Sequence, residues 1–290
     1  MPCNTRKVGN WTISRIDEVA LALPTTVLFP DWDDAILSPE TRTCMQAGLA
    51  ANGADLVVPV HSWLIRNDAL TILVDTGVGN GRARAFDGFN NLNTDYLPRL
   101  SAAGVDPDDV DFVLCTHIHT DHVGWNTTWD GNQWTPTFPN ARYVWGQVEG
   151  AVARRPFFHE GPAAGLYEDS ILPIITAGQA EEIAPGAYDP IDGLTFHSTP
   201  GHSPGHMSIS IKTDTDMLMF GGDVLHNQAQ VFHPEWNSVF CEDPETARRS
   251  RLWALEFCAD TNALFFGTHL GGSAVGRIKR VNDRFTWTHE

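Results

Sequence analysis

Short apolar runs rich in β-branched residues recur along this chain of 290 residues, and Gly, Pro and Asp separate them. Runs of this length and composition predict β-strands. Helical signals lie between several runs, including an Asp-Pro-Glu start of the kind that opens helices. The predicted strands are 11–16, 61–66, 70–74, 112–115, 142–145, 194–198, 207–212, 217–220 and 263–266. The predicted helices cover 93–103, the stretch after 145 to about 155, and 243 to about 259.

The interleaving of strands and helices predicts layered sheets that carry helices on the outside, in a single domain over residues 1–290. Three segments rich in Pro, Gly and Asp are predicted to be loops: 24–55, 80–92 and 156–190. Long loops often form pocket walls or lids, so these segments are candidate parts of a binding site.

Charge and composition narrow the function classes. The net charge of −17 predicts a surface that repels nucleic acid and anionic membranes. The apolar runs are too short to cross a bilayer, and the N-terminus lacks the apolar stretch of a secretory signal. Five cysteines without a CxxC pair argue against disulfides and a thiolate zinc site. We therefore expect a soluble cytoplasmic protein that acts on a small molecule, with no nucleic-acid or membrane partner.

The stretch THIHTDHVGW, residues 116–125, places three histidines and an aspartate directly after a predicted strand. Imidazole and carboxylate groups are ligands that suit zinc and similar divalent ions. Three more residues of ligand type, His202, Asp223 and His269, follow the ends of three other predicted strands. Ligand chemistry at four separate strand ends favours a metal site over a solvated polar loop.

This pattern resembles the metallo-β-lactamase superfamily, and VDTG at 74–77 resembles an earlier motif of that family. The resemblance implies an α+β fold, the four-layer αββα sandwich, with a binuclear metal site. It implies two Zn²⁺ ions, with Fe, Mn or Co left open, and it makes Asp75 and His206 candidates for orienting the ligands. The implied ligands are His117, His119 and His202 for one ion, Asp121, His122 and His269 for the other, and Asp223 for both.

The implied mechanism uses a hydroxide that bridges the two metals as the nucleophile, so no catalytic serine or cysteine is required. Besides its role as a ligand, Asp121 is a candidate catalytic residue, together with His226. His226 stands three residues after Asp223, where many related lactonases have a tyrosine. It is either a hydrogen-bond or proton donor to the substrate or a polar residue packed beside the metals.

Within the superfamily, GDVLHNQAQVFHPEW (222–236) and HLGG (269–272) resemble the branch of methyl parathion hydrolase and acyl-homoserine lactone lactonases. We therefore expect a zinc-dependent hydrolase of a lactone or ester of a hydrophobic small molecule, with promiscuous phosphotriester activity as an option. The alternatives are an organophosphate triester hydrolase, a glyoxalase II-like thioesterase and a di-iron redox enzyme. The last ligand is followed by leucine rather than the aspartate common in lactonases.

Aromatic residues near these motifs could line an apolar pocket, or they could simply pack in the core. By analogy with relatives, an apolar surface around 24–55 could support a homodimer. The candidate pocket residues are Trp125, Trp129, Trp134, Phe157, Phe158, His159, Phe232 and Trp236.

Overall fold

A computed structural model describes residues 5–155 and 161–290. The chain divides into two compact units, one formed by Met1–Val19 and Val60–Ala184 and the other by Ala20–Pro59 and Pro185–Glu290. The prediction of a single domain over 1–290 stays a prediction, which a cooperative unfolding transition would test. The described residues do not include Phe157, Phe158 and His159 of the candidate pocket, or Cys3, the first of the five cysteines.

The first sheet has seven strands in the order β1-β2-β3-β4-β5-β8-β9. Their bounds are β1 Thr5–Val8, β2 Trp11–Pro24, β3 Asp55–Arg66, β4 Thr71–Val74, β5 Phe112–Leu114, β8 Arg142–Gly146 and β9 Ala180–Ile183. Strands β4 and β5 are parallel neighbours, with Val74 opposite Leu114. The residues that follow these two strands therefore emerge at the same edge of the sheet.

The second sheet also has seven strands, in the sequential order β10 to β16. Their bounds are β10 Gly186–Ala187, β11 Leu194–Ser198, β12 Met207–Lys212, β13 Met217–Phe220, β14 Leu264–Phe266, β15 Val275–Val281 and β16 Arg284–His289. Strands β13 and β14 are parallel. Because β11 and β13 are both antiparallel to β12, β11 runs in that same direction. All three strands therefore end at one edge of the sheet.

The described residues also form seven α-helices, a small hairpin and several short 3-10 turns. The longest helix begins after Asp243, whose side chain accepts a hydrogen bond from the Thr246 backbone N–H at 3.1 Å, and it ends at the left-handed residue Asn262. None of the helices among the described residues is long and apolar enough to span a membrane. The helices are α1 Thr25–Leu28, α2 Pro39–Met45, α3 Tyr96–Ala102, α4 Gln147–Ala153, α5 Leu172–Thr176, α6 Ala229–Phe232 and α7 Pro244–Thr261, and the hairpin pairs β6 Thr127–Trp129 with β7 Trp134–Pro136.

Each unit has its own apolar core. In the first, residues of β3, β4 and β5 pack with α3, including the fully buried Leu64, Leu73 and Leu100. In the second, Leu28 and Phe29 pack with Leu56 and Trp236. Burial of apolar side chains such as these is the main stabilising contribution to folding.

All nine predicted strands have a counterpart, but the loop predictions for 24–55 and 156–190 were wrong in part. The first segment contains α1 and α2, and α2 begins after Ser38, whose hydroxyl accepts from the Thr41 backbone N–H. The second contains α5, β9 and β10. Strand β15 was missed because charged residues such as Lys279 and Arg280 interrupt its apolar pattern. Strand β16 was missed because Phe285 and Trp287 are its only apolar residues. Segment 80–92 has only a short 3-10 turn at Asp87–Phe89.

His197 on β11 makes the second unit sensitive to acid. Its ring packs against Trp253 and Phe257, and burial lowers its pKa below the ordinary value. Between the two pKa values the unfolded chain binds the proton that the folded chain does not, so the free energy of unfolding falls as the pH decreases below about 6.5. We expect His197→Gln to weaken this pH dependence, as measured by urea unfolding of metal-free protein at pH 7.5 and 5.5. An unchanged slope would contradict the assignment.

Candidate metal-binding clusters

The first cluster consists of His117, His119, Asp121 and His122, on the turn that follows β5. The His117 Nε2 and His119 Nδ1 atoms lie 3.0 Å apart, and the rings of His117 and His122 have centroids 4.0 Å apart. The His122 Nε2 atom is 3.8 Å from Asp121 Oδ1. The turn thus gathers the four side chains that the motif predicted as ligands.

Asp75 orients this cluster from the end of the neighbouring parallel strand β4. The His122 Nδ1–H group donates to Asp75 Oδ2 at 2.8 Å, which leaves Nε2 as the ring atom free of a proton. The same carboxylate accepts from the backbone N–H and the hydroxyl of Thr116 at 2.8 and 2.9 Å. Asp75 therefore orients the imidazole of His122, and that this ring binds a metal stays a prediction. Asp75 adopts a positive φ of 56°, which is uncommon for residues other than glycine.

Backbone hydrogen bonds join the VDTG turn to the cluster. The Thr76 N–H donates to the His122 carbonyl at 2.7 Å, and the Gly124 N–H donates to the Gly77 carbonyl at 2.7 Å. Gly77 has a φ of +60°, and a Cβ there would collide with the carboxylate of Glu18. The glycine of VDTG is therefore required by both its backbone angle and its packing.

Glu18, a buried residue of β2, links the chain that follows VDTG to the chain that follows the first cluster. Its carboxylate accepts from the backbone N–H groups of Val78 and Gly79 at 2.6 and 3.0 Å. It also accepts from the Trp125 indole N–H at 2.7 Å and from the Thr94 hydroxyl at 3.3 Å. Burial raises the pKa of Glu18 above its ordinary value, and the hydrogen-bond donors offset only part of that rise. Because the neighbours are donors, the site is built for an oxygen-only side chain.

Replacement of Glu18 by glutamine should destabilise the first unit. The amide would turn an N–H group toward at least one of the existing donors and would remove the charge that strengthens the other hydrogen bonds. We expect the free energy of unfolding to decrease by about 2–4 kcal/mol. Urea unfolding measures this loss, and Glu181→Gln, at a partly exposed ion pair with Arg142, is the matched control. A change in both variants of less than about 0.5 kcal/mol, the size expected for a surface pair, would contradict the role of Glu18.

The second cluster consists of His202, Asp223, His226 and His269. His202 follows β11, Asp223 and His226 follow β13, and His269 follows β14, and these three strands end at one edge of the second sheet. All four side chains are buried, with exposed fractions of 3% or less. The topology of the second sheet therefore brings together residues as far apart in the sequence as His202 and His269.

Three imidazoles of the second cluster converge on one carboxylate oxygen. Asp223 Oδ2 lies 3.2 Å from His202 Nε2, 3.2 Å from His269 Nε2 and 3.4 Å from His226 Nε2. Suitable ligand atoms of His202, Asp223 and His226 all lie within 4.8 Å of one another. Two donors on a tetrahedral zinc ion at about 2.0–2.1 Å are about 3.3 Å apart, so this spacing suits ligands of a metal ion.

Hydrogen bonds on the far side of the rings set their orientation. The His269 Nδ1–H group donates to the Pro59 carbonyl at 2.8 Å, which turns an unprotonated Nε2 toward Asp223. We expected His206 to orient a ligand imidazole, but its ring nitrogens contact other groups. Its Nε2 accepts from the backbone N–H of Asp223 at 2.9 Å, and its Nδ1 lies 2.9 Å from the Thr199 hydroxyl. His206 therefore orients the main chain that carries the carboxylate.

His226 is packed within the second cluster rather than on the surface. Its ring stacks on His269 with centroids 5.6 Å apart, and it lies 6.3 Å from the half-exposed ring of Phe240. Burial lowers the pKa of His226 below its ordinary value, and the nearby Asp223 offsets only part of that decrease. The described residues give its Nδ1 no hydrogen-bond partner. His226 therefore has a donor or acceptor to offer to another group.

Several aromatic residues proposed for a pocket have other roles. Trp125 is 4% exposed, stacks on Tyr96 and belongs to the core of the first unit. Trp236 is 2% exposed and belongs to the core of the second. On the β6–β7 hairpin, Trp129 is 55% exposed, and the Arg82 guanidinium lies 4.1 Å above the Trp134 ring. Trp125 and Trp236 therefore pack in the cores of the two units.

Sequence reasoning missed the polar residues that support the clusters. Besides Glu18, the buried Glu149 accepts from the Ile118 backbone N–H at 2.9 Å, between two residues of the first cluster. The buried Arg82 donates to the carbonyls of Gly124 and Thr127. These residues are far from the motifs in sequence, and an isolated charged residue gives no periodic signal. A charge placed within an apolar strand, as at Glu18 in 11–24, is the one available hint.

Curated relatives include N-acyl homoserine lactonases. One from Bacillus thuringiensis is 29% identical over 174 residues, which cover 56% of this chain and 62% of that protein. The lactonase AttM of Agrobacterium fabrum is 29% identical over 178 residues, which cover 56% of this chain and 62% of that protein. The matched region thus spans less than two thirds of the length of these relatives.

Solved structures resemble the chain over nearly its whole length. The hydrolase AbOPH of the beta lactamase superfamily gives a TM-score of 0.79 at 23% identity, covering 99% of this chain and 96% of that one. AidC, a dizinc quorum-quenching lactonase, gives 0.79 at 22% identity, covering 99% and 97%. At these identities the likeness concerns the fold, and it agrees with the predicted α+β class. The model of the Metallo-beta-lactamase superfamily matches residues 55–269, and the chain therefore belongs to that superfamily.

Proposed function

We propose that this chain is a metal-dependent hydrolase that cleaves a lactone or ester bond in a hydrophobic small molecule. The observation that carries the proposal is the convergence of three histidine nitrogens on Asp223 Oδ2 at 3.2–3.4 Å in the second cluster. Buried ligand-type side chains gathered at strand ends are typical of hydrolytic metal sites. Membership of the metallo-β-lactamase superfamily supports the same proposal.

The proposed cofactors are two zinc ions, and the donor chemistry of both clusters fits them. Imidazole nitrogen and carboxylate oxygen are common zinc ligands, and hydrogen bonds to Asp75 and to the Pro59 carbonyl orient two of the rings. Zinc bound there would lower the pKa of a water molecule toward neutrality and polarise the carbonyl of the substrate. The proposed ligands are His117, His119, Asp121, His122, His202, Asp223 and His269.

The chain's own side chains supply the remaining steps of the proposed reaction. Asp121 is the proposed residue that orients the attacking water, since a carboxylate accepts hydrogen bonds from it and its side chain retains 16% exposure. His226 is the proposed donor toward the oxygen that leaves the scissile carbon. A neutral imidazole carries one N–H group, and burial favours the neutral form of His226.

The substrate class rests on the relatives and on the surface charge. Proteins named N-acyl homoserine lactonase are 29% identical to the matched region. A net charge of −17 disfavours anionic substrates such as nucleic acids and favours an uncharged ester or lactone. Phosphotriester turnover is a further property to test rather than part of the main proposal.

A hydrolysis panel tests the proposal on protein with a measured zinc content. It contains acyl-homoserine lactones, aliphatic lactones, aryl esters, a methyl parathion-type phosphotriester, a β-lactam and a glutathione thioester. We expect turnover of lactones or esters well above the rest, its loss with a chelator and its return with added zinc. Preferential turnover of the phosphotriester or thioester would overturn the substrate class. No hydrolysis, together with bound iron and its absorbance, would favour redox chemistry.

A homodimer that uses the 24–55 segment is a separate proposal. Val27 and Ile36 in this segment are each 51% exposed, and large apolar side chains at the surface favour a contact with another chain. Light scattering at several concentrations measures the mass, and Val27→Lys should shift a dimer toward the monomer. A monomeric wild-type protein would contradict the proposal.

A further inference from the structure

The chain segment that carries His226 has little regular structure to hold it in place. Between β13 and α7 it forms a 3-10 turn at Gly222–Val224 and the single helical turn α6. Nevertheless His226 is 1% exposed, and Asn227 and Gln228 are fully buried. A buried loop needs hydrogen-bond partners for its backbone, and outside regular elements the side chains must supply many of them.

Arg251, on the buried face of α7, donates three hydrogen bonds to this loop, two of them to backbone carbonyls. Its Nε donates to the Val224 carbonyl at 3.0 Å, its Nη1 to the Pro234 carbonyl at 2.7 Å and its Nη2 to the Asn237 side-chain oxygen at 3.2 Å. Val224 precedes His226, whereas Pro234 and Asn237 follow it. One guanidinium group therefore ties together the two ends of the loop that carries His226.

Gln230 connects His226 itself to this arrangement. Its side-chain oxygen accepts from the His226 backbone N–H at 2.6 Å, and its amide N–H donates to the Trp236 carbonyl at 2.9 Å. Trp236 lies between the two residues that Arg251 contacts after His226. The position of the His226 main chain is thus linked by hydrogen bonds to the stretch that Arg251 holds.

The chemistry of arginine suits this task better than that of the alternatives. Arg251 is 1% exposed, and burial lowers its pKa to about 10, so the group keeps its charge at neutral pH. Three of its acceptors are uncharged oxygens, and the Cys241 side chain is a further hydrogen-bond partner. The planar guanidinium reaches three separate oxygens at once because its donors have fixed directions, whereas an ammonium group is a compact point charge.

We propose that Arg251 is a positioning residue that holds the loop 224–237 so that His226 meets the substrate. This inference rests on the proposed hydrolase function and on the proposed donor role of His226. Three hydrogen bonds of Arg251 end on oxygens of this loop, so the loop transmits its effect to His226. Its loss should therefore change the rate of the chemical step more than the binding of substrate or zinc.

A double-mutant cycle tests the proposal on zinc-loaded protein with the best substrate of the panel. We expect Arg251→Lys to lower kcat about tenfold, with KM changed less than about twofold and zinc content unchanged. In a His226→Ala background the same substitution should change kcat by less than about twofold, because the residue through which it acts is gone. Arg249→Lys is the matched control, since Arg249 lies on the same helix with its side chain 64% exposed.

Hydrogen–deuterium exchange provides a readout that does not depend on activity. Peptides that cover 224–237 should exchange at least about tenfold faster in Arg251→Lys than in wild type, whereas peptides of α7 should not change. Should Arg251→Lys fail to fold, Asn237→Ala removes one acceptor and should give a smaller change in the same direction. Equal kcat losses in both backgrounds, or unchanged exchange of the loop, would overturn the positioning role. Faster loop exchange in a protein without hydrolase activity would instead locate the failure in the proposed function.

Discussion

Asp223→Ala is expected to remove hydrolase activity and bound zinc together. The Asp223 Oδ2 atom is the point on which His202, His226 and His269 converge at 3.2–3.4 Å, and it is the proposed ligand of both ions. Without the carboxylate, each ion would lose a negatively charged ligand. We expect kcat/KM to fall by at least about a thousandfold and zinc to fall below two ions per chain. Steady-state kinetics and elemental analysis of the same preparation measure the two effects.

The matched control for this experiment is Asp214→Asn, at an exposed residue of the same unit. It removes a carboxylate of the same kind without touching the second cluster, so it should retain both zinc and activity. Circular dichroism of both variants distinguishes lost ligation from lost folding. A variant Asp223→Ala that keeps two zinc ions and most of its activity would exclude Asp223 as a ligand shared by both ions.

His226→Ala is expected to lower kcat by about a hundredfold while zinc content stays at the wild-type value. The rate should fall because His226 is proposed to give a proton or hydrogen bond to the substrate. The zinc content should not change because His226 is not among the seven proposed ligands. Its Nδ1 has no hydrogen-bond partner among the described residues, so one ring nitrogen is available. His226→Gln keeps an N–H donor of similar reach and should recover part of the rate.

The alternative role of His226 is that of a polar residue packed beside the proposed metal ligands. Loss of zinc in His226→Ala would support that role, since it would mean that the ring supports the ligands or binds the metal itself. Unchanged kcat with full zinc would exclude a contribution to the reaction. His197→Gln serves as the control, because it also removes an imidazole of the second unit but lies on β11, outside the second cluster.

Candidate ligands could be named from the sequence because each follows a strand that is recognisable by itself. The runs at 194–198, 207–212 and 217–220 form strands with the predicted bounds, and His202 and Asp223 follow the first and third of these. Local composition is enough for such strands because a buried strand consists largely of apolar residues. Strand β15 was not predictable in this way, since Arg277, Lys279 and Arg280 lie among its apolar residues.

The sequence by itself determined the family, the chemical type of the proposed ligands and their positions along the chain. Those properties are local: HxHxDH, GGD and the final histidine each follow a strand within a few residues. Only the tertiary structure decided which strands end at a common edge, and so which ligands converge on Asp223. It also decided the supporting roles of Glu18, Glu149 and Arg251. A buried charged residue is stable only with partners, and those partners come from segments far away in the sequence, brought near by folding.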